Sequence, residues 1–204
     1  HINHMQQFTN TERNLLELAK IVSNGGVVVY PTDTVYGLGC DPYNEHAVEK
    51  IFQIKIRENK PLPLLCNSLD YAQEVAYFDQ ISIKLADKFW PGPLTIILPI
   101  KDNVLKSLTC NSDFIGVRVP DNKVTLSLLL ACGGYLVGTS ANISGNESHY
   151  VASSVISELE NFDAILIDDP ITRNMESTVV QVKDNDIEII RSGSIDKQLI
   201  LSVL

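Results

Sequence analysis

Pro31-Thr32-Asp33-Thr34-Val35-Tyr36-Gly37-Leu38-Gly39 follows an apolar run, Val27-Val28-Val29-Tyr30. That run reads as a buried strand bounded by Gly25-Gly26 and Pro31. A buried strand running into hydroxyls, one carboxylate and two glycines puts small polar groups where backbone can approach a ligand closely. A plain polar turn at a strand end fits the same residues equally well. Three later phrases break the tie: Lys55-Ile56-Arg57, Gly138-Thr139-Ser140-Ala141-Asn142-Ile143-Ser144-Gly145 and Glu176-Ser177-Thr178-Val179-Val180.

Working outward, Thr9-x-x-Glu12 reads as a capping box that opens a helix to about Ser23. Asn44 is the expected cap of a second helix with Ala47, Val48, Ile51 and Ile54 inward, running out near Lys55 and Arg57. Leu62 to Leu65 reads as a short strand, and Pro63 places it at an edge or a bulge. One or two helices are expected over Asp70–Phe89, ended by Pro91-Gly92-Pro93. Leu94–Ile100, Ile115–Val119, Tyr135–Val137 and Ala164–Ile167 read as strands, with helices at Val124–Ala131 and Val151–Leu159. Lys183-Asp184-Asn185-Asp186 is a hairpin signal between Val179–Val182 and Ile187–Ile190. A short helix closes the chain. Alternating strands and helices followed by a hairpin predict one α/β domain over residues 6–204, with a sheet mixing parallel and antiparallel pairs.

At 204 residues and 45% hydrophobic content the chain can bury a sizeable core. No apolar segment approaches the ~20 residues that span a bilayer, so no membrane contact is expected. His1-Ile2-Asn3-His4-Met5 lacks an apolar signal core and reads as a tag scar before Met5. The four cysteines, Cys40, Cys66, Cys110 and Cys132, are widely spaced. Such spacing suits buried thiols in a reducing cytoplasm rather than a zinc ribbon or a dithiol. Net charge is −9, which opposes nonspecific binding to polyphosphate but leaves room for a local basic cleft.

Phosphate binding has no ready-made loop here. G-x-x-x-x-G-K-[ST] is absent, and Gly37-Leu38-Gly39 does not extend to GxGxxG. Side chains must do the work: Lys55, Arg57 and Lys60 put three cations within six residues. The competing reading makes Lys55 and Arg57 helix-end cations facing the C-terminal dipole. Ser140 and Asn142, after a buried strand, form either a phosphate or ribose cradle or a self-bonding turn. Ser140 lacks the G-x-S-x-G context of a hydrolase nucleophile, and a histidine base is hard to assign. Arg118 lies within an apolar strand, either on its wet face or paired inside a cleft. Ser177 and Arg191 carry the same ambiguity.

Together with Phe89-Trp90-Pro91-Gly92-Pro93-Leu94-Thr95, Gly116-Val117-Arg118-Val119-Pro120 and Arg191-Ser192-Gly193, the four phrases resemble the Sua5/YciO/YrdC family of threonylcarbamoyl-AMP synthases. The resemblance runs from about Thr9 to Gly193. It implies a twisted mixed sheet with a concave ligand cleft. It also implies a cytoplasmic nucleotidyltransferase that joins L-threonine, bicarbonate and ATP, with Mg²⁺ carried in on ATP and no dedicated metal site. Threonine would meet Thr34, Arg118 and Ser177, with Thr32 lining the pocket. ATP would meet Arg57, Lys60, Ser140, Asn142 and Arg191, and Lys55 would supply charge at the phosphates. The product would serve N6-threonylcarbamoylation of adenosine 37 in tRNA through a transient transferase complex. An early end after the last motif resembles the short form of the family, without the extra domain of the longer type. Two departures stand out: Glu58 replaces a usual proline, and Cys66 or Leu65 falls where relatives carry a threonine-contacting histidine. Those departures admit a diverged, YciO-like ATP-binding relative, and a double-stranded RNA-binding module is the rival of another class.

Overall fold

The computed structural model describes residues 5–172 and 175–204; the expected tag residues His1–His4 lie outside them. In chain order the elements are β1 (Gln6–Phe8), α1 (Glu12–Ser23), β2 (Val28–Tyr30), β3 (Gly37–Gly39), α2 (Glu45–Lys55) and β4 (Leu64–Cys66). Next come α3 (Leu69–Val75), α4 (Gln80–Phe89), β5 (Leu94–Pro99), β6 (Phe114–Arg118), α5 (Lys123–Ala131), β7 (Tyr135–Val137) and β8 (Thr139–Ser140). The chain continues through α6 (Ala152–Glu158), β9 (Ala164–Leu166), β10 (Thr178–Lys183), β11 (Asp186–Arg191) and α7 (Lys197–Leu201).

The expected α/β class holds, but the strands form two sheets instead of one. The first has the order β1-β9-β2-β3-β8, the second β11-β10-β5-β6-β4-β7, and each mixes parallel and antiparallel pairs. The chain passes from one sheet to the other at Gly138, between β7 and β8. The seam there is tight. Tyr30 Oη donates to Val137 O at 2.6 Å, Val137 N donates to Cys40 O, and a Cβ on Gly39 would lie 2.1 Å from Val137 O. Glycine at 39 is required by that contact, since no side chain fits against a carbonyl at such a distance.

Several local expectations shift. The α1 cap is Thr11, whose Oγ1 accepts from Asn14 N; Thr9 stands outside the helix and accepts through its carbonyl. Asn44 caps α2 as expected. β4 is no edge strand: it lies between β6 and β7, because Pro63 falls just before the strand and removes no ladder bond. Two helices, α3 and α4, fill Asp70–Phe89, separated by a bridge between Ala76 and Ile100. The hairpin turns on Asp184 and Asn185, both with positive φ, the conformation two-residue hairpins need.

The second sheet has a closed and a half-open face. Leu64, Cys66, Ile96, Leu98, Ile115, Val117, Val180 and Val182 pack into the larger core cluster. The opposite face carries Ile97, Gly116, Val179 and Gln181, none fully buried. Period-two alternation sorts these residues; the same face is buried at Leu65, Thr95 and Arg118 and opens partly at Ile97, Gly116, Val179 and Gln181.

α2 ends on Ile56, which takes a left-handed conformation (φ 52°) and is 73% exposed. A β-branched residue pays a steric cost there that glycine does not. Ile56→Gly is therefore expected to raise stability by about 1 kcal/mol. In a thermal melt that is a rise of about 3 °C.

Candidate active site

Two polar clusters form around the predicted residues. The first grows from the turn after β2. Thr32 Oγ1 gives its proton to Val35 O (2.6 Å) and accepts from the backbone N–H groups of Thr34 and Val35, fixing the turn. That geometry leaves the Thr34 hydroxyl 2.9 Å from Thr32 and Asp33 facing β6. Arg118, at the end of β6, is 5% exposed, which excludes the wet-face reading. Its Nη1 meets Asp33 Oδ1 at 2.6 Å, with longer bonds of 3.3 Å to Gly92 O and from Nη2 to Thr34 Oγ1.

β-register then carries Arg118 across the sheet. Leu65 pairs with Arg118, and one step beyond the Ile96–Val117 pair Thr95 stands opposite it. Thr95 pairs with Val179, and Val179 with Arg191. Leu65, Arg118, Thr95, Val179 and Arg191 thus form one cross-strand row. Hydroxyls stitch it: Thr95 Oγ1 lies 2.9 Å from Ser177 Oγ, and Arg191 donates to Ser177 O (2.8 and 3.1 Å) and to Ser177 Oγ (3.1 Å). Leu65 therefore shares the Arg118 face but is buried there in the smaller core cluster, beside Leu136, while alternation turns Cys66 into the larger one. Burial pushes the Cys66 thiol up and keeps it protonated.

The second cluster joins the end of α2 to the loop after β8. Lys55 is 1% exposed, and its ammonium donates to Ser140 O (2.6 Å), Asn142 O (2.9 Å) and Asn142 Oδ1 (3.0 Å). All three ammonium donors are engaged, so Lys55 braces the loop rather than reaching into the cleft. Burial lowers its pKa to about 8, Arg57 adds to the fall, and Glu176 and Glu158 oppose it. Ser140 Oγ donates to Asn142 Oδ1, and Asn142 Nδ2 donates to Asn146 O, each at 2.6 Å. The turn expected here exists, but Lys55 holds it from outside.

Arg57 is half-buried and donates to Lys60 O (2.9 Å) and Pro61 O (2.6 Å), which folds its own loop back. Lys60 is exposed. Burial lowers the Arg57 pKa, Cys110 opposes, and the positive charge of Arg191 adds to the lowering. Arg57 thus acts on Lys55 and is itself acted on by Arg191. Glu176 sits between the clusters, accepting from Ser148 Oγ at 2.8 Å and lying 3.5 Å from Arg191 Nη1. A recess of about 360 Å³ lined by Phe52, Asn59 and Cys110 shares only Arg57 with the predicted set, so it is not assigned to the site. Sequence reading missed Asp33 as a partner of Arg118, and Thr95, Glu176 and Glu158; the Asp33–Arg118 separation along the chain leaves no local signal.

Guanidinium groups and hydroxyls on one sheet row, beside a braced loop and further cations, define an α/β protein built to hold small anionic ligands. Residues 20–193 match the Sua5/YciO/YrdC family, described as Telomere recombination, and the chain belongs to that family. A protein of Methanocaldococcus jannaschii provisionally named threonylcarbamoyl-AMP synthase is 37% identical over 89% of this chain and 86% of its own length. The P. abyssi Sua5 structure complexed with L-threonine superposes with a TM-score of 0.93 at 29% identity, covering 98% of this chain; this chain spans 60% of that protein. E. coli YciO superposes with a TM-score of 0.89 at 26% identity, covering 98% of this chain and 100% of YciO.

Replacing Lys55 by methionine strands three oxygens without their donor. Lys55→Met is expected to cost about 3 kcal/mol. Thermal melting should show a fall of about 6–12 °C. A variant that melts like the parent while losing turnover would instead put the ammonium on substrate.

Proposed function

We propose that this chain is an L-threonylcarbamoyladenylate synthase, a nucleotidyltransferase acting on L-threonine, bicarbonate and ATP. The observation that carries the reading is the row that sets Arg118, Thr95 and Arg191 on one face, with Ser177 bonded to both Thr95 and Arg191. The names of the M. jannaschii relative and of the threonine-bound P. abyssi structure support it.

In this reading the carboxylate of threonine takes the two long bonds of Arg118, those to Gly92 O and Thr34 Oγ1, while Asp33 keeps hold of Nη1. Thr34 and Ser177 present hydroxyls to the amino acid, and Thr32 shapes the wall beside them. Threonine's neutral amine bonds to the carbon of bicarbonate, the C–OH bond breaks and the hydroxide leaves with an amine proton as water, giving a carbamate. A carbamate oxygen attacks the α-phosphorus of ATP, the α–β bridging P–O bond breaks, and pyrophosphate leaves with the electron pair. Arg57, Lys60 and Arg191 stabilise the charge that builds on the phosphates. Ser140 and Asn142 position the nucleotide, with Lys55 holding them in place. Mg²⁺ would be carried in with ATP in this scheme and would supply positive charge at the phosphates. The mixed anhydride is labile to water and is handed to a transferase acting on adenosine 37 of tRNA.

Leu65 favours a second reading. It pairs with Arg118 but is buried among Leu18, Val28, Leu128 and Leu136, so neither it nor the core-facing Cys66 offers the imidazole expected from the family pattern. A YciO-like protein that binds ATP with a different acid would suit that lack.

Pyrophosphate release from ATP, with L-threonine and bicarbonate each present or withheld, separates the two. Release that requires both supports the synthase; release indifferent to threonine assigns another substrate. Arg57→Ala is expected to lower the threonine-dependent rate at least ~100-fold with melting shifted by only about 3 °C, since one charged donor to a transition-state oxyanion is worth that much.

A further inference from the structure

We propose that Asp33 is a specificity-determining residue that receives the nitrogen of the amino acid through its unbonded carboxylate oxygen. The inference rests on the amino-acid reading of the cleft and goes beyond it by assigning a partner to the α-nitrogen. Its observation is an orphan. The Asp33 side chain is 6% exposed, its Oδ1 is bonded to Arg118 Nη1, and its Oδ2 has no hydrogen-bond partner among the described residues.

A buried carboxylate normally has several of its lone pairs satisfied, and an oxygen left bare costs free energy unless a ligand donor comes to it. Ser107 Oγ and Ser144 Oγ are bare too, but both are neutral hydroxyls outside the Asp33–Arg118–Thr34 cluster. Asp33 and Arg118 present one negative and one positive charge side by side. An α-amino acid carries the complementary pair on adjacent carbons, carboxylate next to nitrogen. Setting its carboxylate on Arg118 brings its nitrogen to the side where Asp33 lies. The fit survives the chemistry: the free ammonium donates to Oδ2, and the carbamate formed from it still keeps one N–H to donate. The ligand class follows, namely α-amino acids and their N-carbamates, against hydroxy acids of the same shape.

Calorimetric titration of the full chain compares L-threonine with (R)-3-hydroxybutyrate, which lacks only the amine. The wild-type protein is expected to prefer L-threonine at least ~10-fold, the scale of a hydrogen bond to a charged group. In Asp33→Asn the amide oxygen can stay on Arg118 and turn its NH₂ toward the ligand nitrogen, donor against donor, so the preference should collapse toward unity. A variant that weakens both ligands alike and keeps the ratio overturns the proposal, because that is what a purely structural role predicts. Equal affinities in the wild-type protein overturn it without any variant, which covers the case of Asp33→Asn failing to fold. Binding of neither ligand by the wild-type protein removes the amino-acid reading itself and this inference with it.

Discussion

The contact on which the site depends is the buried pair between Asp33 and Arg118. Asp33 belongs to the turn joining two strands of the first sheet, and Arg118 ends a strand of the second. A buried ion pair is a poor source of stability, because desolvation offsets most of the attraction, but breaking one side of it costs about 3–5 kcal/mol. Its effect is registry. The pair fixes the turn against the sheet row, and with the turn it fixes the hydroxyls of Thr32 and Thr34. The Gly39–Val137 seam does the same by sterics at one of the points where the chain changes sheets. Charge and shape thereby constrain the same corner of the molecule from two sides.

Around that corner the cations are arranged at different depths. Lys55 lies deepest and serves its own loop; Arg57 is half-buried and tied to two carbonyls; Lys60 is exposed. Like charges held near one another repel, which is why Arg57 helps to depress Lys55 and Arg191 helps to depress Arg57. Glu176 relieves part of that strain from between the clusters, with Glu158 behind the loop, where Asn146 and His149 bond its two oxygens. A polyanion entering such a field meets donors already oriented, so little reorganisation is left for the reaction itself.

Much of this was legible in the chain, and the parts that were not share a cause. Strands with several alternating residues, and helices with an apolar stripe, announced themselves by period. β2, β4, β7 and β9 are as short but show as continuous apolar runs; β1, β3 and β8 lack such a run, being Gln-Gln-Phe in the first and the glycines and hydroxyls that mark turns in the other two. Thr9 and Thr11 both offer a capping hydroxyl; only the fold decides which one the first turn uses. Pro63 argued for an edge strand, yet one residue of displacement placed it outside β4. The candidate site residues were legible as residue types, while their roles were not. Lys55 meets its acceptors 85 and 87 positions away, and Arg118 meets Asp33 85 positions away. Strand pairing added what spacing could not show: Leu65 and Cys66 turn to opposite faces of the second sheet, and each is buried in a different core cluster.

The row that links Arg118 to Arg191 has a consequence for what can evolve on this scaffold. The two arginines are three strand spacings apart, a distance of about 14 Å between backbones that is set by interstrand hydrogen bonds. Side-chain replacement can change which chemical group is recognised at either end, but it cannot alter the span. The sheet therefore works as a measuring rule: it admits families of two-headed molecules of one length, with the heads open to variation and the length not.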